Sequence, residues 1–192
     1  MVGFTAANCG GPGAQVLAEG AEQRGPVGTV ASANDALDYA IIKFNPTKIA
    51  ALPNFDDSAI NGIGPDPGLS QSVCTHGGAT GYGCGSIKVP GLQPDTLAAQ
   101  VPSWQPGDNG APATVNSQLV GMTRQGYIIV DVVVPRLITH IRFTLFSAIL
   151  HDASANGGPG PLGSHRYRLK LLSLAGALSD GSVQARLPVT QA

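Results

Sequence analysis

From residue 71 onward the sequence sets down short β-rich runs one after another, each bounded within a few residues by glycine, proline or asparagine. The runs are QSVCTHG, GYGCGSIKV, APATV, SQLVGMTR and GYIIVDVVV, all lying between residues 71 and 134. Runs of this length and composition read as strands, and strands at such close spacing are the pattern of a barrel or a sandwich. The 26 glycines and 15 prolines in 192 residues point the same way, because they supply many turns joining short elements rather than long helices. The length suits one large all-β unit or two small lobes and is enough to bury a real core.

The first third carries fewer such runs. Residues 15–20 and 27–31 read as short strands, and DYAIIKF (38–44) is the clearest early one, β-branched and bounded by turn residues. A long Pro/Gly/Asp-rich passage from Asn45 to Ser70 then reads as a linker with one or two short strands. It divides the chain into a first unit, 1–60, and a second, 61–158. Near the end of the second unit the periodicity changes. Ile138, Ile141, Leu145, Ile149 and Ala153 recur at helical intervals, with Thr139 as N-cap and Asn156-Gly157 as a stop. This predicts an amphipathic helix over about 139–155, docked on the β core. Residues 159–192 form a tail that opens on PGPLG and turns basic in SHRYRLKLL.

Several function classes fall away. A net charge of −1 gives nucleic acid or a membrane surface no bulk attraction. With 12% charged and 43% hydrophobic residues, intrinsic disorder is excluded as the general state. The most apolar stretch, GYIIVDVVVPRLITHI, is broken by Asp131, Pro135 and Arg136, too early for a membrane span. The opening MVGFTAANCGG has neither the positive nor the apolar region of a signal peptide. His76, His140, His151 and His165 lack zinc-ligand spacing with the cysteines and are expected as surface or loop histidines. Asp56, Asp57 and Asp66 lack the spacing of a calcium loop, and the two GGPG stretches (10–13 and 157–160) lack the strand and helix that a phosphate loop needs. No metal and no cofactor is expected.

The cysteines number three, Cys9, Cys74 and Cys84. Cys74 and Cys84 are expected to pair, closing the glycine-rich CTHGGATGYGC loop and contributing about 2–3 kcal/mol in the chain-entropy view. Such a bond favours an oxidising compartment, whereas the N-terminus as written argues against export. A secreted or cell-envelope location is therefore expected only with a signal peptide upstream of Met1.

The stretch WQPGDNGAPATV (104–115) has two readings. Locally, Asn109-Gly110 is the preferred pair for a two-residue hairpin between apolar runs. Taken with GFTAANCG (3–10) and DYAII (38–42), it falls in a second pattern. The three stretches stand in the order and at roughly the spacing of the triad stretches of chymotrypsin-like serine proteases. The bacterial secreted branch, of alpha-lytic protease and streptogrisin type, is the most similar, with T-A-(A/G)-H-C, D-(Y/F)-A-(I/V)-(I/V) and G-D-S-G-(G/A)-P. VCTHGGATGYGCG (73–85) also resembles that branch's disulfide loop, and the closing helix resembles its C-terminal helix. The resemblance covers roughly residues 1–158. It implies an all-β, chymotrypsin-like double barrel. The histidine motif here starts only a few residues from Met1, so the family's preceding strand pair and the partner of Cys9 have no counterpart. The first barrel is expected to be incomplete, with open edges.

Carried over residue by residue, the resemblance puts Asp38 at the triad acid, Asn8 at the histidine and Asn109 at the serine. Asparagine does not titrate usefully, so Asn8 is no general base. A carboxamide nitrogen shares its lone pair with its carbonyl, so Asn109 is no substitute for an activated hydroxyl. Gly107 and Asn109 match the positions whose N–H groups form the family's oxyanion hole, and a changed side chain does not delete an N–H. Ser103, six residues before Asn109, matches the pocket floor where trypsin-like members carry aspartate. Asp108 normally pairs in this branch with a basic residue at the position of Thr75. Without that partner it needs another donor or a shifted pKa, and a misformed loop is the expectation.

The functional reading is a catalytically inactive serine protease homologue that binds peptide or protein in the former substrate cleft. Two competitors stand beside it: a working trypsin-like serine endopeptidase using non-standard groups, and a truncated or decayed product without selected function. The ligand's identity and the oligomeric state are not specified by the sequence.

Overall fold

The computed structural model describes residues 1–50, 54–55, 58–91, 93–131 and 136–156. The tail expected at 159–192, with His165, the basic stretch and the second GGPG, lies outside the described residues, as do Asp56, Asp57 and the Gly157 stop.

The first sheet has four strands: β1 (Val2–Thr5), β2 (Gln15–Val16), β3 (Gly28–Asn34) and β4 (Tyr39–Phe44), in the antiparallel order β1-β4-β3-β2. Among the described residues it remains an open sheet with β1 and β2 at its edges, as expected for an incomplete first barrel. YAIIKF holds the middle because both of its faces are buried. Ala40, Ile42 and Phe44 pack with Val16, Val27 and Val30 on one side, while Tyr39 and Ile41 face the other. A strand with two buried faces needs a nearly continuous apolar run, and this one has it.

The linker passage carries β5 (Asn54–Phe55), β6 (Ser58–Ala59) and β7 (Gly62–Ile63). There follow β8 (Ser72–Gly77), β9 (Gly81–Pro90), β10 (Thr96–Gln100), β11 (Pro112–Val115), β12 (Gln118–Thr123), β13 (Tyr127–Asp131) and β14 (Arg136–Leu145). Six of these close on themselves in the ring β8-β9-β10-β14-β12-β11, every step antiparallel. Val73, Ile87, Ala99, Ala113, Val120, Ile141 and Phe143 fill its interior. Asn116 and Ser117, with φ of 50° and 60°, make the two-residue turn between β11 and β12. The Asn109-Gly110 pair makes no such hairpin. The strands on either side of it, β10 and β11, are not partners, so the local turn signal marks a longer connection instead.

The C-terminal helix is present but shorter than predicted. It is α1 (Phe146–Ala155), and residues 139–145 belong to strand β14. Ile141 and Phe143 alternate into the barrel and β10 pairs along Ile141 to Thr144, so barrel closure overrides a helical spacing that was partly coincidental. Thr139 is therefore no N-cap. Leu145 is, in extended conformation and without a side-chain bond. Beyond it the stripe is helical, with Phe146, Ile149 and Ala153 buried. These three meet Tyr39 and Ile41 of the first sheet and Leu119 and Met122 of the barrel in one apolar seam. No helix among the described residues is long and apolar enough to cross a membrane.

Candidate active site

Asp38 ends the β3–β4 hairpin. Asn34 shapes that turn by accepting the N–H groups of Ala36 and Leu37, and Asp38 itself sits at φ 51°. One carboxylate oxygen accepts the Ala7 N–H at 3.1 Å, and the other lies 3.3 Å from Arg124 Nε. Ala7 opens a short 3-10 turn, Ala7–Cys9, whose Asn8 N–H is also directed at the carboxylate. The Asn8 side chain is exposed. Burial raises the Asp38 pKa and outweighs Arg124 and the two backbone donors, which pull it down. The Arg124 guanidinium also bonds Ala36 O at 3.3 Å and Gln93 Oε1 at 2.7 Å, so it ties the hairpin of the first sheet to the barrel.

The loop from Trp104 to Ala111 is built around Asp108, which is 4% exposed. Its carboxylate accepts from Ala79 N at 2.9 Å, Thr80 N at 3.0 Å, Thr80 Oγ1 at 2.9 Å and Gln105 N at 2.9 Å. The expected misformed loop is thus corrected. The turn of the disulfide hairpin supplies the donors that Thr75 lacks, and a buried carboxylate so surrounded is satisfied without a cation. Gly77 makes the room, since a Cβ there would run into the Asp108 side chain. The expected disulfide joins Cys74 and Cys84, which face each other across β8 and β9.

The loop is then fixed against both neighbours. Thr123 Oγ1 donates to Asp108 O at 2.6 Å, Gly110 N to Thr123 O at 2.9 Å, and Thr123 N to Ala111 O at 2.8 Å. Gly110, at φ 83°, lies so close to the first sheet that a Cβ would stand 2.8 Å from Ala6 N and 2.9 Å from Thr5 Oγ1. Neither the Gly107 nor the Asn109 N–H donates to another group among the described residues, and the buried Asn109 Oδ1 has no partner there.

The fold sets Asp38 against the Ala7–Asn8 backbone and Gly110 against Thr5–Ala6. The segment Thr5–Asn8 touches Asp38 at one end and Gly110, next to Asn109, at the other. Ser103 is exposed at the start of the same loop. Cys9 is a free thiol whose pKa burial pushes up, with a smaller rise from the Asp38 charge. Among the described residues no group of three or more His, Cys, Asp or Glu could hold a metal ion. Sequence reasoning missed Arg124, Trp104 and the two buried histidines. His76 and His140 are not surface or loop residues but lie on β8 and β14, 8% and 7% exposed, whereas His151 is exposed on α1. Strand alternation could not have found them, because each lies on the face opposite the barrel core residues Val73, Ile141 and Phe143, beside Tyr82 and Tyr127 respectively.

No protein-family model and no curated protein matches this chain. Solved structures do. Cellulomonas bogoriensis chymotrypsin aligns over 78% of this chain and 81% of its own, with TM-score 0.59 and 23% identity. Thermobifida fusca protease A aligns over 78% and 80%, with TM-score 0.59 and 21% identity. A glutamic acid-specific serine protease, described as using a histidine triad in substrate binding, aligns over 80% and 83%, with TM-score 0.62 and 14% identity. The structural neighbours are thus bacterial chymotrypsin-like serine proteases. The chain has the chymotrypsin-like double-barrel fold, its second barrel closed and its first an open sheet.

Proposed function

We propose that this chain is a catalytically inactive serine protease homologue that holds a peptide or protein segment in the cleft between the two β units, 1–60 and 61–158. The observation that carries this reading is the engagement of Asp38. In an active triad that carboxylate holds and orients an imidazole. Here its oxygens face the Ala7 N–H and the Arg124 guanidinium, and the neighbouring Asn8 side chain is exposed. Asn8 offers no base and Asn109 no nucleophile. The N–H groups of Gly107 and Asn109, unpaired among the described residues, suit a carbonyl of a bound main chain.

Two measurements test this. A fluorophosphonate probe followed by intact mass is expected to leave the protein unmodified, and stoichiometric labelling overturns the inactive reading. Peptides enriched by display on the folded protein are expected to shift the amide signals of Gly107 and Asn109. Enriched peptides that leave those amides unmoved, or a display that enriches none, overturn the cleft-binding reading.

A further inference from the structure

Among the described residues, three buried side-chain polar atoms have no hydrogen-bond partner: Trp104 Nε1, Asn109 Oδ1 and His140 Nδ1. Trp104 and His140 meet at Gly126, on one wedge of the molecule. Its apex is the seam where Gly110 N meets Thr123 O and Thr123 N meets Ala111 O. From that seam the chain runs back along the loop to Trp104 on one side and forward to Gly126 on the other. The indole closes the gap. A Cβ on Gly126 would stand 2.6 Å from Trp104 Cδ2, 2.7 Å from Cγ and 3.0 Å from His140 O. The partly buried ring packs on the barrel core, and its Nε1 is shut off from solvent. Next to it His140 stacks on Tyr127, centroids 5.3 Å apart and planes 9° off parallel.

We infer that Trp104 is a built-in plug: its indole occupies the slot between the 103–110 loop and Gly126 that a ligand's side chain would otherwise enter. The inference rests on the cleft-binding reading for its functional meaning. An aromatic ring is the bulkiest apolar filler a chain has, and Gly126 is the residue that lets it lie flat. A ligand is then held along its main chain, with little selection for the side chain directed at Trp104. An unpaired buried donor is costly, so Trp104 Nε1 holds the plug less firmly than an all-carbon ring would be held.

The test does not depend on any peptide. Trp104→Ala is expected to leave an apolar hole, and such holes take up small aromatic molecules. Added indole should therefore raise the melting temperature of Trp104→Ala saturably while leaving the unaltered protein unchanged. A folded Trp104→Ala, by far-ultraviolet circular dichroism, that ignores indole overturns the plug. Trp104 is the single tryptophan of the chain, which supplies a second measurement should that variant not fold. The unaltered protein is expected to emit at blue-shifted wavelengths and to be quenched by acrylamide several-fold more slowly than free tryptophan. Gly126→Val should reverse both. Water-like emission from the unaltered protein overturns the plug as well. Failed peptide binding with indole rescue intact removes the cleft-binding reading alone, and the converse result removes the plug alone.

Discussion

At the scale of single residues, the balance around Asp38 decides how the site behaves with pH. Burial raises its pKa against the pull of Arg124 and the Ala7 and Asn8 amides. A carboxyl raised in the folded state contributes its stability below the ordinary aspartate range and loses it as pH rises through the folded value. Arg124→Met removes the main opposing cause, so the loss should deepen and reach to higher pH. The variant should be less stable than its parent by about 2–3 kcal/mol near neutrality, under the range for a fully buried pair because both side chains keep some solvent contact. The deficit should shrink in acid, and melting both proteins at pH 4 and 7.5 checks it. An equal deficit at both pH values would show that the charge of Asp38 is not what Arg124 serves. Asn8, Asp38 and Asn109 draw attention in the sequence because each sits in a local motif. Arg124 could not, because it meets Asp38 across 86 positions and nothing beside it in the chain records the contact.

At the scale of elements, polar side chains that cross between them fix their relative placement. Gly77 and Asp108 come from β8 and the loop before β11, and each shape presupposes the other. Gly77→Ala should push the carboxylate off the amides of Ala79 and Thr80, costing about 1–3 kcal/mol for the donors left unpaired. The expected signature is a shift of the Gly107 and Asn109 amide resonances with the barrel strands unmoved. A second crossing joins α1 to the first sheet. Asp152 accepts Tyr39 Oη at 2.6 Å and Asn34 Nδ2 at 2.8 Å. The bond from Tyr39, followed by that from Asn34, holds the Asp152 carboxyl below its usual range, while burial and then Asp152 raise the Tyr39 phenol. The lowered carboxylate stabilises above the ordinary aspartate value and loses that as pH falls through the folded one. The raised phenol stabilises below the ordinary tyrosine value, about 10, and loses that in stronger base. Tyr39→Phe should thus cost about 1–2 kcal/mol across the neutral range and flatten the alkaline limb of the stability profile. The helix shows why element type was only half legible. The apolar spacing from Phe146 to Ala153 is a true helical stripe, whereas Ile138 to Leu145 fits two periods, and only pairing with β10, β12 and β13 selects the strand.

At the scale of the molecule, the apolar seam governs how the two β units depend on each other. The close spacing of strands made an all-β architecture legible, but ring closure through β12–β14 and the meeting of the apolar face of α1 with both the first sheet and the barrel are long-range facts with no local mark. Tyr39 and Ile41 contribute to the seam from the first sheet, Leu119 and Met122 from the barrel, and Phe146, Ile149 and Ala153 from the helix. Phe146 is 1% exposed, and its ring stands edge-on to Phe4 of β1 at 5.3 Å. An open four-stranded sheet buries too little of its own surface to be stable alone, so its stability must come largely through this seam. The unaltered protein should then unfold in one transition. Trp104 fluorescence, which reports on the barrel, and far-ultraviolet circular dichroism, which reports on both units, should share a midpoint. Phe146→Ala removes the shared ring and should cost about 3–5 kcal/mol if the site does not collapse. That loss falls on the contact between units rather than on the barrel interior. The first sheet should therefore melt ahead of Trp104 in the variant, and the two midpoints should separate. Coincident midpoints at a lower temperature would mean that the seam is not what couples the units, and that the Arg124–Asp38 bridge carries the coupling instead.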